Sequence, residues 1–185
     1  IALHFSRDVD SRAYAATYVT DWGEESAPST VSAVLDVDQN DSVDLTIATA
    51  PPGRNILKIR IYRSQAGSST DSAFLFVKEL TISTAGSTTN DALTSTELGE
   101  TCPSFDWDEP PADLANLVLH PSGALAGSVR ETEYFSEPNK PYAWPPYEVT
   151  VDFPVVGLCV FGQSIFVGTR GNPFILNGAD PGSMS

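Results

Sequence analysis

Apolar and polar residues alternate with a period of two along most of the first ninety positions. In Arg12–Thr20 the side chains of Tyr14, Ala16, Tyr18 and Thr20 fall on one face, the pattern of a strand. A Gly/Ser/Pro loop, Trp22–Ser29, follows. A second alternation sets Val31, Ala33, Leu35 and Val37 on one side and Asp36 and Asp38 on the other. Gln39–Ser42 reads as a polar turn, and Val43, Leu45 and Ile47 restore the apolar face, so a hairpin is predicted here. Pro51-Pro52-Gly53 stops pairing. Leu57, Ile59 and Ile61 then alternate with Lys58, Arg60 and Tyr62. After a Ser/Gly/Thr loop over 64–72, Phe74–Leu80 opens with four apolar residues in a row, which predicts a central strand. With Thr81–Asn90 as the last loop and edge, and no helical period, residues 1–90 are predicted to form a β-sandwich.

The second half of the chain is written twice. Leu117, Gly127 and Tyr134 recur 41 residues on as Leu158, Gly168 and Ile175, and Ala124–Gly127 lies over Ile165–Gly168. A period of roughly 40 to 45 residues built from short strands is that of a β-propeller blade. Closure takes about four to eight blades, so residues 116–185 are predicted to be a partial propeller of two. Such a segment must belong to a longer polypeptide or be completed by neighbours. The start at Ile1, without Met, is read in the same way, as that of a fragment.

Between the two lies a different stretch, 91–115. Glu97, Glu100, Asp106, Asp108, Glu109 and Asp113 meet no Lys or Arg there, and Pro103, Pro110 and Pro111 forbid a regular element. It is predicted to be an ordered acidic linker, held extended against a domain by Phe105 and Trp107. The whole chain is acidic too, with 24 Asp and Glu against 10 Lys and Arg and a net charge of −14. That balance argues against a surface that grips nucleic acid or anionic membrane. No run approaches the roughly 18 apolar residues of a transmembrane helix. Cys102 and Cys159 are too few for a disulfide framework and are expected as reduced thiols.

Candidate chemistry is sparse. Asp36–Asp41 begins like a calcium loop, but an EF-hand needs Gly sixth and Glu twelfth, where this chain has Asp41 and Ile47. His4 and His120 stand without ligand partners. Ser128 lacks the second Gly of a nucleophile elbow, and Gly168–Asn172 lacks a phosphate loop's Lys. Glu131, Glu133 and Glu137 invite comparison with a glycosidase pair, whose carboxylates stand about 5 to 9 Å apart in a cleft. The repeat register instead assigns Glu131 and Glu133 to an inter-strand turn. Tyr134, Phe135, Tyr142, Trp144 and Tyr147 are read as core rather than as a sugar platform. No metal, cofactor or catalytic residue is expected. Arg54, Lys58, Arg60 and Arg63 concentrate four of the ten bases within ten positions and are the candidate interface, together with Trp107 and Trp144.

Several of these stretches carry a resemblance. Tyr18–Thr20 with Trp22–Ser29, Arg60–Ser64, Leu98–Glu100, Asp106–Leu114, Tyr134–Pro138 and Ala143–Pro145 together resemble phage and prophage virion proteins of the tail. The resemblance implies an all-β chain, a fibronectin-III/immunoglobulin-like sandwich followed by propeller blades. It also implies a non-enzymatic place in a tail-tube or nozzle ring, assembled in the bacterial cytoplasm. Its expected partners are copies of itself, in a sixfold ring, and other tail proteins on the portal/adaptor or fibre side. DNA would pass through without specific binding. A cell-surface or glycan-binding adhesion module is the alternative reading.

Overall fold

A computed structural model of the chain describes residues 9–38, 41–64, 73–82 and 86–184. The expected all-β character holds: the strands form several small antiparallel sheets, none of them closed. No helix among the described residues is long and apolar enough to cross a membrane. The chain divides into two compact units, Ile1–Phe105 and Asp106–Ser185. The stretch read as a linker is therefore shared, its first part folding with unit 1 and its second with unit 2.

Unit 1 holds β1 (Val9–Arg12), β2 (Tyr14–Thr20), β3 (Leu35–Asp38), β4 (Val43–Ile47), β5 (Ile56–Ser64), β6 (Phe74–Thr81) and β7 (Ser87–Asp91). One sheet has the order β2-β5-β6, while β4 pairs with β7 and β1 with β3. The alternating faces of β2, β4 and β5 meet as expected: Tyr14, Val43, Ile59, Ile61 and Val77 form a core joined by Leu45, Ile47 and Val37. A second cluster, Ala13, Ala15, Tyr62, Phe74 and Cys102, lies on the other face of the β2-β5-β6 sheet. That sheet is thus buried on both sides, which is why β2 and β6 carry apolar residues at consecutive positions.

The predicted hairpin is corrected. β3 and β4 do not pair with each other; β3 takes β1, and β4 takes β7. Of the face expected from Val31, Ala33, Leu35 and Val37, only Val37 packs on the core, and the other three are exposed. The physical reason is a serine at every third position. Ser26, Ser29 and Ser32 donate their backbone N–H groups to the carbonyls of Tyr18, Ala16 and Tyr14 at 2.9, 2.8 and 2.8 Å. Their Oγ atoms accept the N–H groups of those same three residues at 3.0, 3.1 and 3.0 Å. Each hydroxyl then donates to the carbonyl of its own next residue. A three-residue period is locked against the two-residue period of β2, and the edge of β2 is satisfied without a strand.

The other side of the sheet is closed from the acidic stretch. Phe76 N–H donates to Glu100 O, Gly99 N–H to Phe76 O and Cys102 N–H to Phe74 O, at 2.8, 2.8 and 2.7 Å. Phe105 stacks on Phe74 with ring centroids 4.8 Å apart. β6 is therefore flanked on both edges, as its apolar run predicted.

Unit 2 holds β8 (Ala115–Leu119), β9 (Leu125–Val129), β10 (Thr132–Phe135), β11 (Glu148–Thr150), β12 (Val155–Phe161), β13 (Ser164–Thr169) and β14 (Phe174–Asn177). They make a four-stranded sheet, β11-β10-β9-β8, and a three-stranded one, β12-β13-β14. The sequence repeat is a repeat of strands, with β8, β9 and β10 answering to β12, β13 and β14. At 41 residues Ala124 matches Ile165, Ala126 matches Val167 and Phe135 matches Leu176, and all six are buried. The register slips in the first strand. Leu117 is exposed whereas Leu158 packs on the shared core, and it is Val118, not Leu117, that packs there in β8. Gly127 keeps its place because Leu114 and Leu117 lie over it; a Cβ would meet their side chains at 2.9 and 3.0 Å.

The serine lock generates a prediction. Changing Ser26 and Ser32 together to Ala removes two acceptors for β2 N–H groups and should lower stability by about 1–3 kcal/mol. A shift of the denaturant midpoint at unchanged slope would show it, while an unchanged midpoint would mean that the segment contributes nothing to β2.

Candidate functional site

The basic residues singled out from the sequence sit on or beside β5, and three of them find their acidic neighbours within unit 1. Lys58 Nζ lies 2.6 Å from Glu79 Oε1. Arg60 reaches two carboxylates, Glu25 at 2.9 Å through Nη1 and Glu79 at 3.0 Å through Nε. Arg63, 1% exposed, donates through Nη1 to Asp91 at 2.7 Å and to the Leu93 carbonyl at 2.9 Å. Arg54 is exposed, with no ion pair among the described residues. The four side chains therefore do not form one free basic face.

Two buried carboxylates organise this array. Glu25 accepts from Thr17 Oγ1 at 2.7 Å, Tyr62 Oη at 2.6 Å and Arg60. Asp91, fully buried, accepts from Tyr14 Oη at 2.8 Å, from Arg63 and from the Leu93 N–H. Burial, with the Asp91 carboxylate beside it, pushes the Tyr14 phenol up to about 12. Burial and Glu25 push the Tyr62 phenol up as well. Both tyrosines therefore serve as hydrogen-bond donors and not as bases near neutral pH. Lys58, then Arg60, hold the Glu79 carboxyl below its ordinary range. The chemistry is that of a polar network fixing two layers of strands. Period-two reading missed its acidic half because Glu25 lies in the loop after β2, and Asp91 falls one residue beyond the predicted sandwich.

The aromatic candidates lie in unit 2. Trp107 and Trp144 are both buried. Trp107 meets Tyr142 edge to face at 6.1 Å and carries Lys140 Nζ 4.5 Å from its ring centroid. Trp144 donates Nε1–H to the Pro141 carbonyl at 3.0 Å, and its backbone exchanges hydrogen bonds with Asp108. Phe135 is fully buried, so it belongs to the core. Cys102 is buried and free, its thiol pushed up by burial, and Cys159 is free and exposed.

The remaining candidates are accounted for locally. His120 is 1% exposed. Its Nδ1 accepts the Ser122 N–H at 3.2 Å and its Nε2 faces the Gln163 carbonyl at 3.3 Å, which assigns the proton to Nε2. Ser128 is buried and accepts from Asn116 Nδ2 at 2.9 Å. Asp36 accepts from Ser11, and Asp41 N–H donates to the Asp38 carbonyl. Gln39 and Asn40 of that loop, and His4, lie outside the described residues. No group of three or more His, Cys, Asp or Glu among the described residues is placed to hold a metal ion.

Glu133 is the exception, and the turn assigned to it is corrected. The turn consists of Arg130 and Glu131, with Arg130 at φ 56°. Glu133 lies in β10 between Ser128 of β9 and Val149 of β11, fully buried. Neither carboxylate oxygen has a hydrogen-bond partner. Burial alone pushes its carboxyl up to about 7. The sequence did carry the signal: 41 residues on stands Phe174, whose side chain packs on the core.

No family model matches this sequence, and no curated protein is significantly similar to it.

Two predictions follow from the buried charges. Glu133 binds its proton more tightly when folded, at about 7 against an ordinary 4.5. Its stabilising contribution is thus complete below pH 4.5 and is lost as pH rises through 7, about 3 kcal/mol in all. Glu133→Leu should remove that slope and raise stability at pH 8, measured by denaturant titration at several pH values; an unchanged slope would contradict the assignment. Arg63→Ala should cost about 3–5 kcal/mol, because it leaves Asp91 buried without its cation. Arg54→Ala should leave the unfolding midpoint unchanged, and equal effects of the two would contradict the pairing described here.

Proposed function

We propose that this chain is a structural component of a phage tail, of the tail-tube or nozzle type, built into a ring around a conduit for the genome. The reading combines the resemblance carried by Trp22–Ser29, Arg60–Ser64 and Asp106–Leu114 with the architecture. Unit 1 is read as a fibronectin-III-like sandwich. Unit 2 is read as two propeller blades, because consecutive sheets of one repeat share a core.

The observation that carries it is the outer face of the β12-β14 sheet. Cys159, Phe166 and Ile175 stand in one row across the three strands, with Phe161 beyond them in β12. Phe161 is 84% exposed, Phe166 44% and Ile175 58%. The three strands contain no charged residue, in a chain of net charge −14. An exposed, uncharged apolar face on an otherwise acidic molecule favours contact with protein, here with further copies of the chain. The exposed acids Glu97, Glu100, Asp106, Asp108, Glu109 and Asp113 suit a wall that does not hold DNA.

Mass photometry and negative-stain imaging of the purified chain test the reading. Ring-shaped oligomers are expected, and they should be lost when Phe161 and Phe166 are both changed to Glu. In a gel-shift series at about 50 mM salt, where phosphate contacts are strongest, duplex DNA should not bind. A chain that stays monomeric, or that binds duplex with micromolar, salt-sensitive affinity, would overturn the proposal.

A further inference from the structure

Among the described residues, Glu133 is the only buried carboxyl whose two oxygens both lack a hydrogen-bond partner. It shares the inward face of β10 with Phe135, while Tyr134 between them alternates to the other side. No charged group balances it. β8, β9, β12, β13 and β14 carry none, and Glu148, the one charge of β11, stands opposite Tyr134 and is exposed. At the ends of β10 and β11, Arg130 and Asp152 are exposed and Glu131 is half-buried; Asp180, near Tyr147, is exposed too. Tyr147 gives its hydroxyl to Glu137 at 3.4 Å, and Cys159 stands in the outward row with Phe166 and Ile175. Burial is the single cause acting on the Glu133 proton.

The strands on either side of Glu133 are not equally held. β9 is paired on both edges, with β10 and with β8. β11 is three residues long, has β10 as its only neighbour among the described residues, and exposes Glu148 and Thr150. Its flank adds a bond from the Phe135 N–H to the Tyr147 carbonyl at 3.1 Å. Two buried residues fix the chain beyond it: Trp144, whose backbone exchanges hydrogen bonds with Asp108, and Val151, whose N–H donates to the Glu131 carbonyl at 2.9 Å. The segment free to move between them is 145–150. A carboxylate ionised in this place without a cation is strongly disfavoured, and lifting the short outer strand brings it to water while the core stays packed.

We infer that Glu133 is a proton-operated latch on β11: with the carboxyl protonated β11 stays on β10, and when the proton is lost residues 145–150 lift away, Glu133 meets water and the edge of β10 is bared. The closed form holds its proton up to about 7, and the open form only to an ordinary 4.5. The open form therefore gains about tenfold for each pH unit between those values and no more above them. Unit 1 and the other strands of unit 2 keep their pairing throughout. The latch operates whether or not the chain belongs to a tail.

Amide hydrogen exchange of the full chain, followed by NMR between about pH 5 and 7 and corrected for intrinsic exchange rates, tests this. Protection of Phe135, bonded to Tyr147, and of Val149, paired with Glu133, should fall about 100-fold over that range. Ser136, whose N–H donates to the Leu125 carbonyl on the β9 side, should change by less than about threefold. Glu133→Gln keeps the size and removes the charge, so it should make the protection of Phe135 and Val149 independent of pH. Equal pH dependence at Phe135 and Ser136 would overturn the inference, because unit 2 would then open as a whole. So would pH-independent protection of Phe135 and Val149 in the unmodified chain, or a dependence that survives Glu133→Gln. Should Glu133→Gln not fold, the comparison of Phe135 and Val149 with Ser136 in the unmodified chain decides.

Discussion

Every sheet among the described residues is small, so the cost of unpaired backbone at sheet edges governs the rest of the structure. A buried N–H or C=O without a partner costs about as much as a lost hydrogen bond, and sheets of two to four strands are nearly all edge. The chain answers locally. Ser26, Ser29 and Ser32 close β2 with side chain and backbone at once. Residues 99–102 close β6. β11 closes β10. These coverings explain why stretches without strand periodicity are nonetheless ordered.

Charge is distributed by the same economy. Of the basic residues on β5, Arg63 and Arg60 meet the buried carboxylates Asp91 and Glu25, and Lys58 joins Arg60 on Glu79. With cations committed inside unit 1, the excess of acids is left on the surface, where Glu97, Glu100 and Asp106 are exposed. A molecule so arranged repels polyanions in general, whereas the three strands β12, β13 and β14 carry no charge and expose Phe161, Phe166 and Ile175. Glu133 departs from this pattern, a carboxyl buried with no cation at all.

Much of this was legible in the sequence, for identifiable reasons. β2, β4 and β5 follow from period-two alternation, β6 from its apolar run, and the repeated strands of unit 2 from the 41-residue period, because burial selects the same inward positions in each copy. What was not legible depends on partners remote in sequence. β4 pairs with β7, Val43 with Asp91 and Ile47 with Ser87, and no local pattern distinguishes that from a hairpin with β3. The serine period is visible at 26, 29 and 32, but its meaning appears only beside β2. The basic cluster was found, yet its partners Glu25 and Asp91 lie far from it in the chain, so an internal network resembled a surface. Glu133 was readable through Phe174, had the repeat been followed position by position.

Ser26, Ser29 and Ser32 on β2, residues 99–102 on β6 and β11 on β10 each hold backbone N–H groups that would otherwise be open to water. Residue-resolved amide hydrogen exchange on the full chain, by NMR under native conditions, examines that most directly. The N–H groups of Tyr14, Ala16 and Tyr18, which point away from β5 into the serine segment, should be as protected as those between β2 and β5. Fast exchange at Tyr14, Ala16 and Tyr18, at the rates of exposed loops, would contradict it.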